Sequence, residues 1–180
     1  MTINKTFIKD LLILEHQLFK DERGFLYESY NKNNLDKIIN IVFVQDNESK
    51  SNKGVIRGLH FQKPPFEQTK LVRCVSGSIL DVVVDLRKNS KTYGKSFSVE
   101  LSSENNKQLF VPKGFAHGFQ VISDEAIVNY KVDNFYNPKS ESGIIWNDKD
   151  LLIDWNLDIK PVLSVKDLKL ISFKELKSPF

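Results

Sequence analysis

Hydrophobic positions along this chain come in short runs separated by turn-forming clusters, the pattern of a protein built from strands. Phe25–Tyr30, Ile41–Gln45, Lys70–Val75, Ile79–Leu86 and Ala126–Val132 are rich in Val, Ile, Leu, Phe and Tyr and predict strands. Asp21-Glu22-Arg23-Gly24, Ser76-Gly77-Ser78, Lys88-Asn89-Ser90 and Pro112-Lys113-Gly114 predict the turns between such segments. Ile79–Leu86 alternates only in part, as expected of a strand covered on both faces. Helical periodicity is weak. It allows a turn or two over Leu35–Ile39 and a C-terminal helix over Lys166–Phe173 with Ser164 as its cap. No helix separates successive strands, which argues against a parallel βαβ sheet and for an antiparallel sandwich or barrel. No linker, repeat or low-complexity segment interrupts residues 1–180, which read as one domain.

Composition narrows the partners. A hydrophobic fraction of 41% and a charged fraction of 27% describe a soluble globular chain. The net charge is +3, with lysines and arginines scattered among the acids, so no basic block for nucleic acid is present, while a local pocket for a small anion is allowed. No apolar run approaches a membrane span and no secretion signal is visible, so the expected location is cytoplasmic. Cys74, the only cysteine, lies in an apolar strand pattern and reads as a small buried hydrophobe. The dinucleotide and P-loop fingerprints and the GxSxG elbow are all missing.

Chemistry concentrates in Gly54–Lys70, where His60, one of only three histidines with His16 and His117, stands between Arg57 and Lys70. An imidazole titrates close to neutrality and acts as acid or base, and the flanking cations suit an anion nearby. The bland alternative for His60 is a core histidine with a satisfied hydrogen bond. Pro112-Lys113-Gly114-Phe115-Ala116-His117 reads PxGxxH, which resembles the second motif of cupin barrels. The HxH of a metal cupin's first motif is here His60-Phe61-Gln62. Glutamine is a poor transition-metal ligand, and although Glu67 follows, no metal is expected.

Seven fragments carry a wider resemblance: FKDERGFLYESY, VQDNESKSNKGVIRGLHFQ, QTKLVRCVSGSILDVVVDLR, LFVPKGFAHGF, VNYKVDNFYNP, ESGIIWNDKDLLIDW and LSVKD. Collinear from about Phe19 to Asp167, they resemble the dTDP-4-dehydrorhamnose 3,5-epimerase family, a metal-free cupin branch. Departures are mild: Lys91 and Asn156 stand near positions where the family favours proline. The resemblance implies a mainly β, cupin-type antiparallel jelly-roll barrel with short peripheral helices. It also implies epimerisation of dTDP-4-keto-6-deoxy-D-glucose at C3 and C5 through an enolate, giving dTDP-4-keto-L-rhamnose, with no cofactor.

On the same ground His60 is the expected base, Asp167 its partner, Tyr130 the acid and Lys70 the stabiliser of the enolate oxygen. Tyr136 is the competing tyrosine. Arg23, Glu28, Gln45, Asn47, Arg57, His117, Glu141 and Lys166 are the expected contacts to the nucleotide-diphosphate sugar. A homodimer is implied, in which the N-terminal strand region carrying Arg23 and Glu28 completes the partner's site. An epimerase acting at C3 or C5 alone, a metal-binding cupin oxygenase and a catalytically silent sugar-binding cupin are the alternatives.

Overall fold

The structure, a computed structural model, describes residues 1–180. Its strands are β1 (Thr2–Lys5), β2 (Leu12–Glu15), β3 (Phe19–Asp21), β4 (Gly24–Leu26), β5 (Gln45–Asn52), β6 (Ile56–Gln62), β7 (Lys70–Ser76), β8 (Ser78–Asp85), β9 (Ser96–Ser102), β10 (Lys107–Val111), β11 (Phe115–Val121), β12 (Glu125–Val132) and β13 (Glu141–Gly143). A six-stranded sheet in the order β1-β2-β10-β7-β12-β5 faces a five-stranded sheet in the order β13-β6-β11-β8-β9, every pair antiparallel. This is the expected jelly-roll architecture. The β3–β4 hairpin forms a separate two-stranded ribbon.

Period-two alternation assigns each strand's faces. Ile79 and Val83 of β8, Phe115, Phe119 and Val121 of β11, Val72 and Cys74 of β7, and Ala126 and Val128 of β12 meet in the core between the sheets. Val82 and Val84 of β8 point the other way, into a second apolar layer where Trp155, Leu151 and Ile144 of the C-terminal third cover the five-stranded sheet. Both faces of β8 are therefore buried, as its partly alternating sequence predicts. A smaller cluster of Leu14, Leu35, Leu71 and Phe110 covers the outer side of the six-stranded sheet. Cys74 is buried as expected, and burial pushes its thiol up to about 11, which keeps it protonated.

Four local expectations need correction. The helix α1 is Lys32–Asp36 rather than Leu35–Ile39, because the Asn31 side chain caps Asn34 N and starts the helix earlier, in a polar stretch without apolar periodicity. Lys166–Phe173 is not a helix. Only Asp167–Lys169 turns, as a 3-10 helix, and Ile171 is then drawn into an extended bridge with Ile144. Of Phe25–Tyr30 only Phe25 and Leu26 lie in a strand, β4, because the chain leaves the short ribbon there. The run Ile41–Val44 precedes the strand instead of forming it, and β5 occupies the polar segment Gln45–Asn52. No helix is long and apolar enough to cross a membrane.

The two site-bearing strands β6 and β11 approach unusually closely at Gly118, where the register shifts between His117 and Phe119. A Cβ at Gly118 would stand 2.5 Å from Arg57 O and 3.1 Å from Gly58 Cα, both backbone atoms with little room to yield. Gly118→Ala is expected to lower the unfolding free energy by about 1–3 kcal/mol, the usual cost of overpacking, as read from denaturant midpoints. An unchanged midpoint would show that β6 can back away from β11 freely.

Candidate active site

The C-terminal segment returns across β6 and brings two distant parts of the chain together. Ile56 N donates to Val162 O and Val162 N to Gly54 O, each at 2.9 Å, so residues 162–167 run beside the start of β6. Ser164 then holds the turn, its Oγ accepting from Asp167 N at 3.1 Å, although the helix it was expected to cap does not form and Lys166 stands at the N-cap of the short 3-10 turn. Asp167 is thereby held with its side chain only 5% exposed and its Oδ1 at 2.5 Å from His60 Nε2. Burial pulls the His60 pKa below its ordinary 6.5, while the Asp167 carboxylate opposes that shift and the Lys70 cation adds to it. The imidazole is therefore mainly neutral at pH 7, the form that accepts a proton.

A cavity of about 460 Å³ opens in front of this pair, lined from the five-stranded sheet by Arg57, His60 and His117 and from the six-stranded sheet by Ser49, Lys70 and Tyr130. Lys70 begins β7 and Tyr130 lies on β12 opposite Val72, so both project from the sheet that faces His60. The Lys70 ammonium lies 5.9 Å from the centre of the Tyr130 ring. Burial lowers the Lys70 pKa to about 8 against the opposing charges of Asp81 and Glu141. Burial likewise raises the Tyr130 phenol above its ordinary 10, so it stays protonated at neutral pH. Arg57 Nε donates to Ser51 Oγ at 3.0 Å, which orients the guanidinium along the same wall.

The remaining expected contacts distribute unevenly. Lys166 lines the cavity beside Asp167, and its Nζ pairs with Glu141 Oε2 at 2.5 Å, while Tyr136 donates to the same oxygen at 2.6 Å. Burial raises Glu141, but the bonds from Lys166 and Tyr136 outweigh it and leave the carboxylate below its usual range. Gln45 and Asn47 share one face of β5 with Ser49, and Gln45 Nε2 donates to Asn47 Oδ1 at 2.8 Å. Tyr136 is half exposed and bound to Glu141, whereas Tyr130 is inside the cavity, so the structure separates the two competing tyrosines.

Arg23 and Glu28 do not reach this cavity. Arg23 sits at the exposed tip of the β3–β4 hairpin, paired with Asp21, and Glu28 accepts from Asn31 and Asn34 at the edge of a separate, smaller hollow with His16.

Two features escaped the sequence reading. His117 forms a second imidazole–carboxylate pair, its Nε2 at 2.9 and 3.1 Å from the fully buried Asp81. Asp81 was hidden in an apolar strand run, and the signal lay in alternation: it shares the inward face of β8 with Ile79 and Val83. Ser49 Oγ is buried without a hydrogen-bond partner and lines the cavity. With both Nε2 atoms committed to carboxylates, no group of three or more His, Cys, Asp or Glu side chains is arranged to hold a metal ion.

Comparison with known proteins gives a consistent picture. The sequence profile of dTDP-4-dehydrorhamnose 3,5-epimerase matches residues 5–175. The chain is 49% identical over 178 residues to the dTDP-4-dehydrorhamnose 3,5-epimerase of Escherichia coli K12, covering 98% of this chain and 96% of that one. It resembles the crystal structure of the Bacillus anthracis str. Ames dTDP-4-dehydrorhamnose 3,5-epimerase with TDP and PPi bound, with TM-score 0.93, 48% identity and coverage of 96% of this chain and 99% of that one. It also resembles the Legionella pneumophila dTDP-6-deoxy-D-glucose-3,5-epimerase in complex with dTDP-4-keto-L-rhamnose, with TM-score 0.94, 43% identity and coverage of 98% and 94%. Matched along nearly its whole length, the chain belongs to the dTDP-4-dehydrorhamnose 3,5-epimerase family of isomerases.

Proposed function

We propose that this protein epimerises C3 and C5 of dTDP-4-keto-6-deoxy-D-glucose to give dTDP-4-keto-L-rhamnose, with His60 as base, Tyr130 as acid and Lys70 as the cation that receives the enolate charge. One observation carries the assignment of roles: His60 and Tyr130 project into one cavity from opposite sheets. Inverting a carbon requires a proton to leave one face and another to arrive at the opposite face. A base on one wall and a protonated phenol on the other meet that requirement. The C4 carbonyl acidifies the hydrogens on both neighbouring carbons, and the developing oxyanion needs a cation in a dry site. Lys70 supplies it. With Nε2 bound to Asp167, His60 has Nδ1 free to exchange the substrate proton, and Asp167 fixes the tautomer and stabilises the imidazolium that forms. Arg57 suits the diphosphate, while the proposed contacts to the rest of the nucleotide sugar are His117 and Lys166, which line the cavity, Glu141, paired with Lys166, and Gln45 and Asn47 on the Ser49 face of β5.

Turnover in deuterated water tests this reading. The wild-type protein should place deuterium at both C3 and C5 of the sugar, as counted by NMR. Label at one carbon alone would make it a single-position epimerase, and label at neither would remove the reading. His60→Asn should abolish exchange, with a loss of about 10²–10⁴ in rate. Tyr130→Phe should continue to exchange the substrate hydrogen while inverting the centre poorly.

The pH profile follows from the shifts of two groups. His60 must be neutral, so kcat/KM should fall on the acid side through a pKa below 6.5. Lys70 must be charged and is so only below its pKa of about 8, so a second fall should appear as pH rises through that value. Lys70→Met should reduce kcat/KM by about 10²–10³ and erase the alkaline limb while leaving the acid limb in place. An alkaline limb that survives in this variant would dissociate Lys70 from it.

The positions of Arg23 and Glu28 support a homodimer in which the β3–β4 hairpin of one protomer completes the nucleotide site of the other. Phe19, Phe25 and Leu26 are exposed on that hairpin, as a segment meant to be covered by a second copy would leave them. Arg23→Ala should raise KM with a smaller effect on kcat, since it removes binding away from the reacting carbons. Mixing Arg23→Ala with His60→Asn should restore activity through heterodimers that hold one intact site, with subunit exchange followed by native mass spectrometry. Exchange without recovery would place Arg23 in its own chain's site.

A further inference from the structure

Gln62 touches nothing in the cavity, yet it makes more side-chain bonds to distant backbone than any residue near the site. It lies two positions after His60 on β6, on the same face, and is only 5% exposed. Its Nε2 donates to Phe66 O at 2.6 Å and Phe135 O at 3.2 Å, and its Oε1 accepts from Asn137 N at 2.7 Å. These three bonds reach two loops. The first, residues 63–69, leads directly into Lys70. The second, residues 133–140, carries Tyr136 and leads into Glu141. The loops are further laced to each other: Gln68 Nε2 donates to Asn134 O at 2.7 Å, Thr69 N to Asp133 Oδ1 at 2.7 Å and Asn134 Nδ2 to Pro65 O at 3.1 Å. Gln62 joins this lacework to the strand that holds His60.

We infer that Gln62 is a positioning residue that sets Lys70 on one side and the Tyr136–Glu141–Lys166 chain on the other at a fixed distance from His60. An amide is the one side chain of this length that donates to two carbonyls and accepts from an amide N–H without carrying charge. A buried carbonyl left without its donor would pull its loop toward water, and both loops lack regular structure of their own to resist that. Glu141 is also the direct strand partner of Gln62, so a shift at this position passes into β13 without an intermediary. The inference rests on the reading that Lys70, Glu141 and Lys166 meet the nucleotide sugar.

Two substitutions test it. Gln62→Met keeps the length and removes all three bonds; it should raise KM roughly tenfold, the scale of one or two lost buried hydrogen bonds, with a smaller effect on kcat. Gln62→Glu keeps the shape but, when ionised, presents oxygen to the carbonyls of Phe66 and Phe135. The charged or titratable groups on the packed elements are Lys63 and Glu67 in the first loop, Asp133 (paired with Lys113), Tyr136 and Lys139 in the second, and Glu141 on β13. Burial and the carboxylates among them favour the protonated acid, which can donate to one carbonyl. Activity of Gln62→Glu should therefore recover as pH falls, shifting its optimum to lower pH than the wild type. Binding of dTDP, followed by calorimetry, should weaken and recover along the same pH course, which gives a readout separate from turnover.

A Gln62→Glu protein with wild-type KM and an unmoved optimum would overturn the inference, as would a lowered melting temperature with unchanged dTDP affinity and KM in Gln62→Met. If Gln62→Met does not fold, the pH course of Gln62→Glu alone decides. Failure of the wild type to label C3 or C5 would instead remove the function on which the inference rests.

Discussion

The contact on which the site depends joins residues 107 positions apart: His60 on β6 and Asp167 in the C-terminal return. Neither partner has a local reason to be where it is. His60 is carried by a strand whose neighbouring side chains, Leu59 and Phe61, are anchored in the outer apolar layer. Asp167 is carried by a segment pinned by the bridge of Val55 with Val162 and by the bond from Asp167 N to Ser164 Oγ. The apolar layer of Trp155, Leu151 and Ile144 therefore does more than cover a sheet. It fixes the path by which a carboxylate arrives at an imidazole, so packing far from the cavity sets the orientation and tautomer of His60.

The cavity is also an arrangement of charges with limited access to water. Arg57, Lys70, His117 and Lys166 line it, with Asp81 hydrogen-bonded to His117 and Glu141 paired with Lys166. Lys70 is the cation whose burial costs it most, with its pKa brought down to about 8. Such a group is poised for an incoming negative charge, since an anion beside it restores what desolvation removed. The charges of Asp81 and Glu141 oppose that shift, and a pKa of about 8 keeps the ammonium mostly charged at neutral pH.

Much of this was legible in the sequence, and each failure has its own physical cause. Apolar strands such as β7, β8 and β12 announce themselves by composition because their inward residues fill the core. The collinear fragments around His60, Lys70, Tyr130 and Asp167 marked four side chains that the fold indeed gathers. The segment Gln45–Asn52 was invisible as a strand because it contains no apolar residue, its inward positions being Gln45, Asn47, Ser49 and Ser51. A strand that lines a polar cavity loses the alternation by which strands are recognised. Asp81 was obscured in the opposite way, as one carboxylate inside a valine-rich run. The C-terminal helix failed because pairing of Ile171 with Ile144 outweighed a weak local preference for helix.

That same polar composition bears on how such a protein can change. β5 is the outermost strand of its sheet, paired only with β12, and none of its side chains belongs to an apolar cluster. Replacing Gln45, Asn47 or Ser49 alters the inward face of β5, whose Ser49 lines the cavity, without opening a void in the core, so the stability penalty that usually accompanies inward substitutions is small here. The strands β6, β7 and β12, which carry His60, Lys70 and Tyr130, have no such freedom, because their neighbours along the chain are packed. Under the proposed function the scaffold would separate residues that define the reaction from residues that select the molecule it acts on, so that substrate preference could drift along one edge while the chemistry is inherited unchanged.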